Sequence, residues 1–197
     1  MDKVIFATGN QNKMREIRMI LADLPFQVLS MKEAGIEVQI EETGKTFEEN
    51  ALIKAKAVHP FTDGIVLADD SGLEVDYLHQ APGIYSSRFL GEETSYQIKN
   101  QYIIDQLKGV SGSDRSARFV CAIAIVFPDG SQKTCRGVME GQIAYEPAGK
   151  NGFGYDPIFY LPEYGCTSAQ LAPEEKNAIS HRGKALRAMK KILQESM

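Results

Sequence analysis

Cysteine is scarce in this 197-residue chain, and the three present, Cys121, Cys135 and Cys166, show no CxxC spacing. A disulfide framework and a cysteine zinc site are not indicated; small core residues or free thiols are the ordinary reading. No apolar run approaches the roughly 18 residues that span a bilayer. The opening Val4-Ile5-Phe6-Ala7 is too short an apolar stretch for a secretion signal, so a cytoplasmic protein is expected. Basic charge is not in excess either: 22 Lys and Arg against 26 Asp and Glu leave a net charge of -4. That balance disfavours nonspecific binding to nucleic acid, and any phosphate must be held locally. There is no internal repeat or low-complexity tract. The remaining composition, 43% hydrophobic and 24% charged, excludes disorder, collagen and coiled coil. It fits a single domain over residues 1–197, as one body or two closely joined lobes.

Val4 to Ala7 reads as a short buried strand, with Thr8-Gly9-Asn10 as a turn and helix cap. Met14, Ile17, Leu21 and Leu24 then line one helical face until Pro25. A less regular strand is expected near Ile36 to Ile40. Thr46-x-x-Glu49 is a capping box that opens a second helix running to about His59-Pro60. Ile65 to Ala68 looks like a central strand with Asp69, Asp70, Ser71 and Gly72 at its C-terminal end. A third helix is expected over Tyr96 to Leu107, with Ile98, Tyr102, Ile103 and Leu107 as its apolar stripe. Asp129-Gly130 signals a hairpin after Phe119 to Phe127, and a further strand is expected over Gly137 to Tyr145. Pro147 to Pro157 fits neither periodicity, and a last helix carries Leu186, Met189 and Leu193. The pattern predicts an α/β or α+β architecture with a mixed sheet.

Four segments could carry chemistry. Thr8-Gly9-Asn10 with Lys13 opens a helix, where free N–H groups and the helix dipole favour an anion. Lys13 and Arg15 sit unfavourably near that positive end, a cost that a bound phosphate would offset; a plain turn with a solvated lysine is the alternative. Gly44-Lys45-Thr46 imitates the end of a P-loop, but Gln39 stands where that motif needs glycine, so Walker-type chemistry is rejected. The acidic pairs Glu41-Glu42 and Asp69-Asp70 offer the hard oxygen ligands that Mg²⁺ prefers. Neighbouring strand residues face opposite ways, so only one of Asp69 and Asp70 need reach a site. Taken alone, the first pair is a solvated charged run and the second a turn. In Gly152-Phe153-Gly154-Tyr155-Asp156-Pro157 the glycines leave room for a flat ring to stack on Phe153. Lys176 goes with Ser180-His181-Arg182, where Ser180 would cap the last helix and place His181 and Arg182 in its first turn; His181 as an ordinary surface residue is the alternative. Together these features describe one nucleoside triphosphate and Mg²⁺ site.

The sequence closely resembles the inosine triphosphate pyrophosphatases, also described as non-canonical purine nucleoside triphosphate pyrophosphatases. Thr8-Gly9-Asn10 with Lys13 and Glu16, Glu41-Glu42-Thr43-Gly44, Thr46 to Ala51, Ala68 to Leu73, Ala81 to Ser86, Gly152 to Pro157 and Ser180-His181-Arg182-Gly183 carry the resemblance. They stand in family order across nearly the whole chain. The resemblance implies an elongated mixed β-sheet with two α/β lobes flanking a substrate cleft, and a homodimer. It implies hydrolysis of the α–β phosphoanhydride of ITP, dITP and XTP to a monophosphate and pyrophosphate. Thr8, Gly9, Asn10, Gln11, Asn12 and Lys13 would bind the triphosphate, Glu41 and Asp70 would hold Mg²⁺, and Asp70 would accept the proton of the attacking water. Ser71 would touch the substrate. Phe153, Gly154, Tyr155, Asp156, Lys176, His181 and Arg182 would hold and read the purine.

Such chemistry needs charge neutralisation and a positioned water more than covalent steps. A carboxylate bound tightly to a cation is a weaker base, so a double role for Asp70 requires two ions or an outer-sphere contact. Arg182 only donates, which suits a 6-oxo purine and leaves the 6-amino group of ATP facing donors. GTP shares the 6-oxo group, so its exclusion requires a donor, expected from the backbone, near the 2-position. Whether Lys54 or Lys56 reaches the phosphates is open.

Overall fold

The structure, a computed structural model, describes residues 2–196. Its strands are β1 (Asp2–Phe6), β2 (Phe26–Ser30), β3 (Ile65–Val75), β4 (Ser116–Val126), β5 (Gln132–Ile143), β6 (Phe159–Leu161) and β7 (Cys166–Thr167). The helices are α1 (Gln11–Ile20), α2 (Phe47–Val58), α3 (Tyr96–Gln106), α4 (Pro173–Ile179) and α5 (His181–Glu195). The strands form one sheet in the order β2-β1-β3-β4-β5-β6-β7. β1 runs parallel to β2 and β3, whereas β6 is antiparallel to β5 and β7, so the sheet is mixed.

The chain divides into two compact units. The first comprises the segment ending at Asp70, Cys121–Gly137 and the segment from His181 onward. Strand alternation organises it. Val4, Phe6 and Leu67 pack with Met14 and Ile17 of α1 and Leu186, Met189 and Leu193 of α5. Ile5, Ala7, Val66 and Ala68 point the other way, onto Ala51, Ala55 and Val58 of α2. Burial of each large side chain contributes roughly 1.5–3 kcal/mol, so a charge at Ile17, which is fully buried, would break the α1 face. The second unit comprises Ser71–Val120 and Val138–Ser180. Its core joins Leu73, Ile103, Leu107, Tyr155, Ile158 and Phe159.

The structure differs from the sequence pattern in five places. α1 ends at Ile20, and Leu21 and Leu24 stay buried in the turn that follows. The segment Ile36 to Ile40 is not a strand: Ile36, Val38 and Ile40 pack on the α2 cluster without forming a ladder, and the strands beside β1 are β2 and β3. Asp69 to Gly72 lie inside β3, not beyond its end, since Leu73 and Val75 resume the buried alternation after Gly72. On α3 the buried face is Lys99, Asn100 and Ile103, while Ile98 and Tyr102 are exposed. Finally, the strand expected over Gly137 to Tyr145 is the second half of one continuous β5. The hairpin turn stands as the pattern predicts, with Phe127 N–H donating to the Ser131 carbonyl. All three cysteines are free.

Candidate functional site

In the first unit, β1 delivers the chain to the start of α1. Asn10 caps this helix: its Oδ1 accepts from the N–H groups of Asn12 at 2.9 Å and Lys13 at 3.2 Å, and Thr8 Oγ1 accepts from Asn10 N–H. Gly9, Asn10, Gln11 and Asn12 are exposed. Lys13 is not solvated. Its Nζ lies 3.0 Å from Asp69 Oδ2, so a carboxylate of the protein offsets the cost of a cation at this end of the helix.

Successive residues of β3 point to opposite faces of the sheet. Asp69 therefore shares the face of Leu67, with α1 and α5, and Asp70 that of Ala68, with α2. Asp69 is 1% exposed. Burial pushes its carboxyl up, but Lys13, Arg182 and Lys54 outweigh that and hold it below the usual carboxylate range. Arg182, in the first turn of α5 and buried, pairs with Glu16 of α1 and places its Nε 3.8 Å from Asp69 Oδ2. His181, the first residue of α5, is also buried.

On the other face, Asp70 is pushed up to about 6, chiefly by burial and further by Glu42, while Lys54, Asn50 and Lys13 act in the opposite sense. Asn50 Nδ2 donates to Asp70 Oδ2 at 3.2 Å. Lys54 Nζ lies 2.8 Å from Glu42 Oε1 and 3.8 Å from Asp70 Oδ1. Lys54 therefore joins the acidic cluster, and Lys56 is exposed. Of the first acidic pair it is Glu42 that faces Lys54, while Glu41 is exposed. Among the described residues no three His, Cys, Asp or Glu side chains gather into a metal-holding set.

The second unit holds the glycine-rich loop. Asp156 is 2% exposed and anchors it: Oδ2 accepts from Phe153 N–H at 3.0 Å and lies 2.5 Å from Lys176 Nζ, and Ser168 Oγ donates to Oδ1 at 2.7 Å. Lys176 also stands over the Phe153 ring, 5.4 Å from its centroid. Gly152 has φ +73°, and a Cβ there would lie 2.1 Å from Asp156 Oδ2, so this glycine admits the carboxylate as well as the turn. Tyr155 turns inward; its hydroxyl donates to the Ser86 carbonyl and its ring meets Tyr96 edge-on. Asn100 Nδ2 donates to the Gly154 carbonyl at 3.2 Å. Ser71 follows Asp70 on β3 and is half-buried.

The structure thus gathers Lys13, Asp69 and Arg182 into one group, Asp70 with Lys54 and Glu42 into another, and Phe153, Asp156 and Lys176 into a third. Asn50, which the Thr46 to Ala51 motif contains without assigning it a role, and Asn100 and Ser168, which no motif contains, are further contributors. The i, i+4 spacing of Asn50 and Lys54, which sets both on one helical face, is the signal that was available.

The chain was also compared with known proteins. The sequence model of the Ham1 family matches residues 4–192. A dITP/XTP pyrophosphatase of Bacillus licheniformis is 47% identical over 196 residues, covering 100% of both chains. The structure of a HAM1 protein from Coxiella burnetii superposes with a TM-score of 0.90 at 45% identity, covering 99% of this chain and 100% of that one. A dITP/XTP pyrophosphatase from Mycobacterium abscessus gives a TM-score of 0.78 at 40% identity over 95% of this chain and 98% of the other. With a family match over nearly its full length and relatives this similar from end to end, the chain belongs to the Ham1 family.

Proposed function

We propose that this protein hydrolyses the α–β phosphoanhydride of non-standard purine nucleoside triphosphates, ITP, dITP and XTP, to the nucleoside monophosphate and pyrophosphate, and so removes them from the nucleotide pool. One observation carries the reading: in a chain of the Ham1 family, a buried carboxylate, Asp70, stands with Lys54, Asn50 and Glu42 on one face of β3.

The chemistry of that cluster fits a divalent cation. Burial and the neighbouring Glu42 disfavour the ionised form of Asp70, and a cation would relieve both. A set of two carboxylates suits Mg²⁺, which keeps water and substrate oxygens among its ligands. In this reading Asp70 and Glu41 hold the ion, with Glu42 adding charge beside it. A cation held there would supply neutralisation of the phosphate charge and a more acidic bound water. Asp70 accepts the proton of the attacking water. Thr8 to Lys13 and Lys54 take the phosphates. Phe153 stacks on the purine, and Lys176, His181 and Arg182 donate to its oxo groups. Tyr155 and Asp156, both turned inward, act on the base by shaping the loop. Ser71, beside Asp70, touches the substrate. The same reading makes the protein a cytoplasmic homodimer acting on free nucleotides. No helix among the described residues is long and apolar enough to cross a membrane.

The test is product analysis with Mg²⁺ and a panel of ITP, dITP, XTP, GTP, ATP and UTP, with orthophosphate and pyrophosphate assayed separately. Monophosphate and pyrophosphate from the first three, with little from the others, is the expected result. Release of orthophosphate would move the cut to the γ-phosphate and overturn the reading.

A further inference from the structure

Asn50 is fully buried on α2, and both ends of its carboxamide are used. Nδ2 donates to Asp70 Oδ2 at 3.2 Å, and Oδ1 accepts from the N–H of Gly44 at 2.8 Å. One rigid planar group thus ties the carboxylate of β3 to the turn that follows Glu41 and Glu42. We propose that Asn50 is the positioning residue of the acidic cluster, holding Asp70 and the Glu41–Gly44 segment in the mutual geometry that binds the divalent cation. This inference rests on the assignment of Asp70 and Glu41 to the cation under the proposed function.

Three features of the structure support it. First, Asn50 lies one helical turn before Lys54, so the two side chains divide the Asp70 carboxylate: Asn50 takes Oδ2, and Lys54 stands 3.8 Å from Oδ1. A carboxylate held at one oxygen cannot rotate fully towards the ammonium, and its other oxygen keeps its direction. Second, the turn comes unusually close. A Cβ at Gly44 would lie 2.6 Å from Asn50 Oδ1 and 2.9 Å from its backbone N, so the contact exists because residue 44 is glycine. Third, the support is rigid: Thr46 Oγ1 caps α2 by accepting from Glu49 N–H, and Ala51 and Ala55, both fully buried, hold the helix to the sheet. A buried group that donates to one ligand-bearing element and accepts from another acts on a metal site as outer-sphere partners do, by orienting the ligands.

The experiment compares the parent protein with Asn50→Ala and Asn50→Ser, each checked for folding by circular dichroism and thermal melting. Mn²⁺ binding to the substrate-free protein is followed by electron paramagnetic resonance, and steady-state kinetics are measured with dITP. Loss of an orienting contact should weaken Mn²⁺ binding and lower kcat by about 10- to 100-fold each, with KM for dITP within about threefold of the parent. The Ser variant, small and polar, carries the test if Ala does not fold. Mn²⁺ affinity within about twofold of the parent, whether kcat is kept or KM rises instead, overturns the proposal. Absence of pyrophosphate release by the parent defeats the proposed function separately, because the Mn²⁺ measurement involves no substrate.

Discussion

The ammonium of Lys13 lies 3.0 Å from Asp69 Oδ2, at the start of α1, with the guanidinium of Arg182 3.8 Å from the same oxygen. Asp69 is thus the counter-ion of two cations from two different helices. Its replacement by Asn would leave Lys13 beside a neutral group and Arg182 with Glu16 but without the Asp69 charge. Removing one member of a buried pair costs about 3 kcal/mol, and a protein of this size should melt roughly 6–12 °C lower. Differential scanning calorimetry of Asp69→Asn checks this; an unchanged midpoint would show that solvent already screens the pair.

Asp70 behaves in the opposite way. Burial disfavours its charge, so Asp70→Asn should keep the fold and melt no lower than the parent at pH 7. Its turnover should vanish. A variant that retains a tenth or more of the parent kcat would exclude Asp70 as the proton acceptor.

Lys54 and Lys56 share a helix and differ in surroundings: Lys54 faces Glu42 and Asp70, and Lys56 faces solvent. Loss of one donor that stabilises developing charge costs about 100- to 1000-fold in kcat. That loss is expected for Lys54→Met, while Lys56→Met should stay within about twofold of the parent. Steady-state kinetics on the two variants distinguish them directly.

The Asn100 carboxamide holds the Gly154 carbonyl from α3 at 3.2 Å. Asn100→Leu, similar in volume, frees the loop without touching Asp70 or Lys54. KM for dITP should rise about tenfold with kcat near the parent value, the pattern of lost ground-state binding. A fall in kcat at constant KM would refute this role.

Asp76 carries the clearest acid-range dependence. Arg118 grips it with two hydrogen bonds of 2.9 and 3.0 Å, Ser116 Oγ donates at 2.5 Å and Gln80 Nε2 at 2.7 Å. These contacts, those of Arg118 foremost, hold its carboxyl well below the usual range. A carboxyl lower in the folded than in the unfolded chain adds stability that is complete above the unfolded value of about 3.9 and is lost as pH falls through the folded one. Asp76→Asn should therefore melt lower than the parent at pH 7, with the gap closing below about pH 4. Melting curves from pH 7 to pH 2.5 test it, and a constant gap would point to packing instead of charge.

Much of the first unit was legible in the residues themselves. The stripe of Met14 and Ile17, the Thr46 cap, the apolar run into Asp69 and the Asp129-Gly130 hairpin are local signals, set by periodicity and turn chemistry within a few residues. β2 was missed because a parallel strand is defined by a partner remote in sequence, here β1. β6 and β7 are too short to show a period. The motif set likewise marked Lys13, Asp70, Phe153, Lys176 and Arg182 as polar or aromatic groups in unusual places, but not which residues pair with which.

The sequence by itself determined the class of fold, the family and the residue types at the candidate site, because hydrophobic period and motif order are properties of the chain read in one direction. Only the tertiary structure decided that Asp69 pairs with Lys13 while Asp70 meets Asn50 and Lys54, and that Glu42 faces Lys54 while Glu41 is exposed. The alternation of a strand sends adjacent carboxylates to opposite faces, but what waits on each face depends on which helices pack there. The charge state of a buried carboxyl follows from those neighbours and from the water they exclude.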